Sequence, residues 1–531
     1  MSKDLLTEVD MDDGIPEAQS DWGPFGRPIF QDPAARALSR VGVIDIGSNS
    51  VRMVVFDGAA RSPAYFFNEK VMAGLGAGMD QTGRLNPKGR ERALAAIRRF
   101  TTLARGMGIP PLTAVATAAV RVAEDGDEFR RQVEQETGQT IHVIDGEEEA
   151  RLSAQGVLLA WPDAEGLACD IGGSSMELAR IEGGRVWERA TTPLGPLRLQ
   201  TMKGGRKRRK EEIRRVLDEL AEKIVHHERL YLVGGSWRAI ARLDMVRRDY
   251  PLSVLHDYRM TPKSMRATLD WIGRQDLEIL RQQGRLSLAR ISLVPIAGEV
   301  LRRLVSRFGT KEIVISGYGI REGLLYEQMP QRIRCRDPLI EAARHSQYHS
   351  ARIPGFGRML HDFISPLFRR PKGDPRWIQA ACLLHDVNWR AHPDYRAEVC
   401  FDSATSGNLS GIDHPGRVYL GLALAHRYRN ARPGDRFEPL FQLLNDKLVK
   451  EAEILGKAMR FGAMFSFANP DGMGKFKYQP KKRTLELRLP PESAALYGEV
   501  AAARLASLAR AMEVEKIVTL TNGRRVVSKL D

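Results

Sequence analysis

Short apolar runs alternate with longer amphipathic stretches from residue 41 to about 160. The pattern predicts three strands and then helix, strand, helix, strand, helix. Tyr65–Val71 is expected to be the third strand. Asn86 and Pro87 are expected to begin the first helix, because Asn caps helices and Pro suits their first turn. A helix over 146–159 opens with three glutamates, which suit the positive end of the helix dipole.

The same alternation of predicted strands and helices occurs from 167 to about 326. Strands over 230–233 and 312–316 each lead into a glycine turn. The pattern is helical from about 330 to 465. After about 470 it predicts strands over 477–489 and 516–527 around a helix over 491–512, with Asn522-Gly523 as a turn signal. The expected domains are a mobile acidic tail (1–38), two α/β lobes (39–165 and 166–328), a helical domain (329–468) and a small α/β appendage (469–531).

One strand–turn–strand segment occurs twice, at 43–56 and about 125 residues later. Each copy has a buried strand ending in Asp, a tight glycine turn with small polar residues, and a second apolar strand. The aligned identities are Asp45/Asp170, Ile46/Ile171, Gly47/Gly172, Ser50/Ser175 and Gly58/Gly183. Such repetition predicts two similar lobes, each presenting its turn to a shared cleft.

These turns carry the chemistry of phosphate binding. Glycine turns let a phosphate approach backbone N–H groups, and small hydroxyl or amide side chains add donors. Arginine forks suit phosphate geometry. The candidate phosphate-binding residues are Ser48, Asn49, Ser50, Arg52, Arg121, Gly172, Gly173, Ser174 and Ser175. Asp45, Asp170 and Glu177 are candidate Mg²⁺ ligands, since Mg²⁺ takes one or two carboxylates together with phosphates and waters.

Several stretches resemble the exopolyphosphatase/guanosine pentaphosphate phosphohydrolase family of the actin–sugar kinase–heat-shock chaperone superfamily. They occur in family order at 45–52, 116–121, 146–151, 170–177, 233–236 and 316–323. The resemblance implies two duplicated actin-like (ribonuclease H-like) lobes, followed here by an HD-like all-helical domain and the small α/β appendage. It also implies a homodimer.

By the same resemblance, the chain releases orthophosphate from the end of linear polyphosphate. The alternatives are hydrolysis of guanosine pentaphosphate at the same site, a polyphosphate:ADP phosphotransferase, and a kinase of the superfamily. From helix geometry alone Glu147, Glu148 and Glu149 all remain open as the catalytic base. The family's catalytic Glu precedes an Ala/Gly-Arg pair, which implies Glu149.

Three features bear on these expectations. Ser174 stands where the family commonly has a third Gly, and would be strained if the position needs a positive φ. Trp237-Arg238, after the turn at Gly234, would narrow an adenosine pocket. His385-Asp386 resembles the HD pair, with His345 or His349 and Asp446 as further candidates. This ligand set is incomplete, which favours a structural role.

Composition limits the partners. The formal net charge of +15 suits a polyanion, and we expect polyphosphate or guanosine pentaphosphate rather than nucleic acid. A basic run at 203–210 is expected to be a solvated loop. The four cysteines are scattered, which fits a reducing compartment better than a disulfide framework. No apolar run approaches the ~18 residues that a membrane span needs, and we expect no signal peptide. We therefore expect a cytoplasmic protein that does not enter membranes.

Overall fold

The structure is a computed structural model that describes residues 40–57, 61–109, 112–467, 474–521 and 524–529. The acidic tail 1–38 and the turn Asn522-Gly523 lie outside the described residues. The described chain falls into two compact units, one up to Pro338 and one from Leu339. The finer division into five domains stays a prediction.

The first unit contains both α/β lobes. Elements of the first lobe are β1 (Val41–Ile46), β2 (Val51–Phe56), β3 (Tyr65–Val71), α1 (Met79–Thr82), α2 (Pro87–Gly106), β4 (Thr113–Ala116), α3 (Ala118–Val122), α4 (Gly126–Thr137), β5 (Ile141–Val143) and α5 (Gly146–Ala160). The predicted order of the main elements is confirmed, and the short helices α1 and α3 were not predicted. Asn86 caps α2 as expected, because its side chain accepts a hydrogen bond from the N–H of Gly89 at 2.9 Å.

The second lobe follows directly. Its elements are β6 (Gly166–Ile171), β7 (Met176–Glu182), β8 (Arg185–Thr192), α6 (Pro196–Thr201), α7 (Gly205–Lys223), β9 (Arg229–Val233), α8 (Gly235–Arg247), β10 (Arg259–Met260), α9 (Pro262–Ile272), α10 (Leu277–Gly284), α11 (Leu288–Ile291), α12 (Val294–Arg307), β11 (Glu312–Ile315), α13 (Ile320–Glu327) and α14 (Gln331–Arg334).

The two lobes have the same sheet topology. The first sheet has the order β3-β2-β1-β4-β5, and the second has β8-β7-β6-β9-β11 with β10 added at its edge. In each, the hairpin strands are antiparallel and the next two neighbours are parallel. The predicted duplication of α/β lobes is therefore confirmed.

Each sheet is covered on both faces. Neighbouring side chains on β1 enter different cores, Ile44 with α2 and Val43 with α5, because successive strand residues point to opposite faces. The core around α5 also holds residues of both sheets and of α13. This helix pair lies between the sheets and connects the lobes.

Two glycines permit the close crossing of α5 and α13. A Cβ atom at Gly323 would lie 1.8 Å from the carbonyl oxygen of Leu152, and one at Gly156 would lie 2.4 Å from that of Gly319. Neither distance is possible between real atoms, so both positions need glycine. The crossing holds α5, and with it Glu149, against the second lobe.

The second unit is mostly helical and ends in a small sheet. Its elements are α15 (Pro338–Ser350), α16 (Phe356–Ile364), α17 (Pro375–Leu384), α18 (Arg396–Ser406), α19 (His414–His426), α20 (Glu438–Phe441), α21 (Asp446–Phe465), β12 (Lys475–Gln479), β13 (Thr484–Leu489), α22 (Glu499–Ala511), β14 (Lys516–Thr521) and β15 (Arg524–Lys529). The sheet has the order β12-β13-β14-β15.

Two predicted boundaries were wrong. The basic run 203–210 is not a loop, since α7 begins at Gly205, and Arg206 and Arg209 both pair with Glu299. The predicted strand 477–489 is a hairpin, because a 3₁₀ turn at Pro480–Lys482 divides it. Alternation of apolar residues continues through this short turn, so it does not reveal the turn. The antiparallel strands β14 and β15 agree with the turn signal that the sequence has between them.

Candidate functional site

The two repeated turns have the same backbone hydrogen bond and face each other. The N–H of Gly47 donates to the carbonyl of Ser50 at 3.0 Å, and the N–H of Gly172 donates to that of Ser175 at 3.0 Å. The Ser174 hydroxyl donates to the Ser48 hydroxyl at 3.3 Å. The turns from the two sheets therefore meet at one cleft, as their repetition predicted.

The residue opposite the aspartate differs between the two hairpins. Asp45 faces Arg52 across β1 and β2, whereas Asp170 faces Glu177 at the equivalent register of β6 and β7. The first hairpin thus brings a cation to the cleft and the second brings another carboxylate. This asymmetry gives a duplicated scaffold two chemically different sides.

Glu149, at the start of α5, completes a group of carboxyls with Asp45, Asp170 and Glu177. Burial first, and then the charges of Glu177 and Asp170, raise the pKa of Glu149 well above its usual value. Burial also raises the pKa of Glu177, to about 8, although Ser175 and Thr191 donate hydrogen bonds to it. Burial raises the pKa of Asp45 and Asp170 as well, with the Ser153 hydroxyl bonded to Asp170 at 2.5 Å.

The three consecutive glutamates of α5 have separate environments. Glu147 is largely exposed, at 63%, and lies 3.8 Å from Arg189. Glu148 binds the Arg151 guanidinium through both carboxylate oxygens. Glu149 is 6% exposed, and its Oε2 has no hydrogen-bond partner within the described chain. Among the three, only Glu149 lies with the other carboxyls of the cleft.

Cations line the other side of the cleft. Arg321 Nε lies 3.9 Å from Asp45 Oδ2. Burial first, and then the charge of Arg321, lower the pKa of both Arg52 and Arg238. Burial followed by the charges of Arg290 and Arg52 lowers the pKa of Lys70. These depressed pKa values show positive charges held close together, as a polyanion site requires.

Sequence reasoning missed Arg238 and Arg321. Both lie just inside helices that follow glycine turns at the ends of parallel strands, α8 after β9 and α13 after β11. The two turns were recognised as family motifs, but the arginines beyond them were not selected. Parallel strand ends meet at one sheet edge, and this is the signal that would have identified them.

The other predicted residues occupy the expected positions around the turns. Arg121 donates to the carbonyl of Ile144 at 2.6 Å, and its Nη1 lies 3.8 Å from Glu149 Oε2. Ser174 is absent from the residues with positive φ among those described, so it is unstrained without a third glycine. Trp237 is buried in the core of the second lobe, so of the pair Trp237-Arg238 only Arg238 remains to narrow an adenosine pocket, and this stays a prediction.

Asp45, Asp170 and Glu177, the predicted Mg²⁺ ligands, lie at this cleft. Burial raises the pKa of all three carboxyls, and a cation beside them would favour their ionised forms. Among the described residues, Glu177 Oε2 is buried without a hydrogen-bond partner, and no three His, Cys, Asp or Glu side chains are placed to hold a metal ion by themselves. Mg²⁺ suits such a site, because it needs few carboxylates when phosphates and waters supply the rest.

The His385-Asp386 pair of the second unit is engaged by arginine. Arg352 donates to both carboxylate oxygens of Asp386, at 2.8 and 2.5 Å, and His385 Nδ1 lies 2.8 Å from the carbonyl oxygen of Cys382. Burial and the nearby Arg427 charge lower the pKa of His385 to about 4. These contacts favour the structural role expected for the pair. The HD-like description of the unit stays a prediction.

None of the helices in the described part of the chain is both long enough and apolar enough to span a membrane.

Comparison with known proteins places both units. Residues 54–332 match the Ppx/GppA phosphatase family, and residues 363–517 match the C-terminal region of exopolyphosphatase. An exopolyphosphatase from Cytophaga hutchinsonii has a similar structure, at 23% identity and a TM-score of 0.51, covering 55% of this chain and 98% of its own. A Ppx/GppA family member from Aquifex aeolicus is 24% identical with a TM-score of 0.48, over 54% and 97%. Because the family match spans more than half of its residues, the chain belongs to the Ppx/GppA phosphatase family.

Proposed function

We propose that the protein is an exopolyphosphatase, which hydrolyses the terminal phosphoanhydride of linear polyphosphate and releases orthophosphate. The observation that carries the proposal is the meeting of the two turns, at Ser48 and Ser174, between buried carboxyls and a cluster of cations. The match of residues 363–517 to the C-terminal region of exopolyphosphatase supports the proposal.

The terminal phosphate binds where the turns meet. Backbone N–H groups at 48–50 and 173–175, and the hydroxyls of Ser48 and Ser174, donate hydrogen bonds to its oxygens. Arg52, Arg238 and Arg321 neutralise the phosphates that follow, since guanidinium forks match phosphate geometry. The negative charge of polyphosphate thus contributes to binding at the terminal phosphate and at the phosphates that follow it.

Hydrolysis requires a base beside the bound phosphate. Glu149 accepts a proton from a water molecule, whose oxygen forms a bond to the terminal phosphorus while the bond to the bridging oxygen breaks. The shortened polyphosphate leaves with that oxygen, and the cations stabilise its negative charge. Neighbouring cations must keep Glu149 ionised, because burial alone favours its protonated form.

Asp45, Asp170 and Glu177 are proposed to hold Mg²⁺, which neutralises phosphate charge when it is bound. Asp170 is held in place by the hydroxyl of Ser153, and Glu177 by that of Thr191 at 2.9 Å. These hydrogen bonds orient the two carboxylates toward the cleft before substrate arrives.

Parallel assays test the assignment. Phosphate release from long-chain polyphosphate, guanosine pentaphosphate and ATP is measured with Mg²⁺ at equal enzyme concentration. We expect the highest kcat/KM for polyphosphate, because the cationic side of the cleft extends from Arg52 to Arg290 and suits a long anion. A higher kcat/KM for guanosine pentaphosphate would assign that substrate instead.

A further inference from the structure

The second unit contains a cavity of about 450 Å³ beside the His385-Asp386 pair. It lies among the chain segments after α15 and α19 and the helices α21 and α22. Four arginines line it, namely Arg352, Arg427, Arg460 and Arg504. We call this cavity the arginine pocket. Its volume lies in the range typical of sites for small molecules.

The positive charge of this pocket is largely uncompensated. Arg352 is neutralised by Asp386, whose charge also attracts Arg427. Within the described residues, Arg460 donates only to the neutral amide oxygen of Asn430 at 2.9 Å, and Arg427 has a buried Nε without a hydrogen-bond partner. In the same part of the chain Arg504 makes no side-chain hydrogen bond or ion pair, and none of the residues that line the pocket is acidic.

The arginines also influence one another. Burial first, and then the charges of Arg504 and Arg427, lower the pKa of Arg460 to about 10. Like charges held this close destabilise the free protein, and an anion between them would remove the repulsion. Arg427, Arg460 and Arg504 form no ion pair within the described chain, and their combined charge is that of two or three phosphates.

An apolar surface adjoins these charges. Phe467 is 44% exposed and Met464 is 38% exposed, and both line the pocket. The Arg352 guanidinium lies over the Phe467 ring at 4.7 Å from its centre. An inorganic anion makes no use of such a surface, whereas a nucleobase stacks on an aromatic ring whatever its identity.

We propose that the arginine pocket binds a nucleoside di- or triphosphate. Its phosphates contact Arg427, Arg460 and Arg504, and its base packs against Phe467 and Met464. The site consists of residues of the second unit alone and is independent of the hydrolysis proposed above. It gives the chain a means of responding to a nucleotide that is not its substrate.

Calorimetric titration of the full chain tests this site. The ligands are ADP, GDP and the β,γ-methylene analogues of ATP and GTP, which are not hydrolysed at that bond, with tripolyphosphate and orthophosphate for comparison. The Arg460→Gln/Arg504→Gln variant is expected to bind the nucleotides at least 10-fold more weakly. Arg510→Gln, an exposed change on the same helix as Arg504, is expected to bind them as the unaltered chain does. The same number of bound nucleotides per chain, at the same affinity, in the double variant and in the unaltered chain would overturn the proposal.

A second variant examines the base contact. Phe467→Ala is expected to weaken nucleotide binding about fivefold or more while leaving tripolyphosphate binding unchanged. Equal effects on both ligands, or none on either, would show that the pocket does not recognise the base. The melting temperature of each variant is measured as a control. A value equal to that of the unaltered chain establishes that the fold is intact.

Discussion

Glu149 Oε2 lies 3.8 Å from Arg121 Nη1, too far for a hydrogen bond but close enough for strong attraction. Arg121 instead donates to the backbone carbonyl of Ile144. The Glu149 carboxylate is thus held near a fixed cation while one of its oxygens stays free to accept a proton. This is the arrangement that a general base requires.

We predict that Glu149→Gln lowers kcat for phosphate release by about 10²–10⁴, the usual contribution of a general base. Polyphosphate binding should be retained, because Gln keeps the shape and removes a negative charge. Steady-state kinetics measure kcat for phosphate release, and a binding titration measures the affinity for polyphosphate. Glu147→Gln, at the exposed neighbouring position, is the matched control and should leave kcat unchanged. Comparable loss in both variants would contradict the role of Glu149.

Arg321→Lys should lower kcat/KM for polyphosphate by about 10- to 100-fold. Arg321 is buried beside Asp45, with its Nη1 lacking a hydrogen-bond partner among the described residues. Lysine keeps the charge but loses the planar fork that binds two phosphate oxygens together. Arg274→Lys, at an exposed site of the same lobe, should have no effect on these kinetics. An unchanged kcat/KM for Arg321→Lys would remove Arg321 from the phosphate site.

Gly156→Ala should destabilise the protein by about 1–3 kcal/mol, the usual cost of overpacking. Its Cβ would meet the carbonyl oxygen of Gly319 at 2.4 Å and push α5 away from α13. Denaturant unfolding measures the loss. Gly106→Ala is the control, since nothing lies within 4 Å of its Cβ and alanine favours helix. Equal free energies of unfolding for the two variants would show that the close crossing of α5 and α13 does not contribute to stability.

Burial of Glu177 should make metal-free protein less stable as pH rises. The folded chain keeps a proton on Glu177 up to about pH 8, whereas the unfolded chain loses it near the ordinary value of 4.5. The folded state therefore binds more protons between these values, and the free energy of unfolding falls as pH increases, by at most about 1.4 kcal/mol per pH unit for one proton.

Melting temperatures in EDTA at pH 6 and pH 8 measure this effect. The unaltered chain should melt lower at pH 8, and Glu177→Gln should reduce the difference because Gln carries no charge at either pH. Glu182→Gln, at an exposed position of the same strand, should behave as the unaltered chain. The same pH dependence in all three proteins would show that Glu177 is not protonated in the fold.

The amino-acid sequence by itself determined the duplicated turns and the order of the main elements in the first lobe. Strand alternation, the Asn86 cap and the glycine turns depend on residues close together in the chain, so local patterns reveal them. Local patterns could not predict the arginine pocket, because Arg352, Arg460 and Arg504 come from segments that are distant in the chain.

Only the tertiary structure decided which chemistry each residue can perform. It buried Glu149 among carboxyls and exposed Glu147, two residues away, because the crossing of α5 and α13 turns one face of the helix inward. It brought Arg238 and Arg321, from two later segments of the chain, to the site formed by the turns at Ser48 and Ser174. Burial and proximity set the pKa and the partners of a side chain, and both arise from packing between segments remote in sequence.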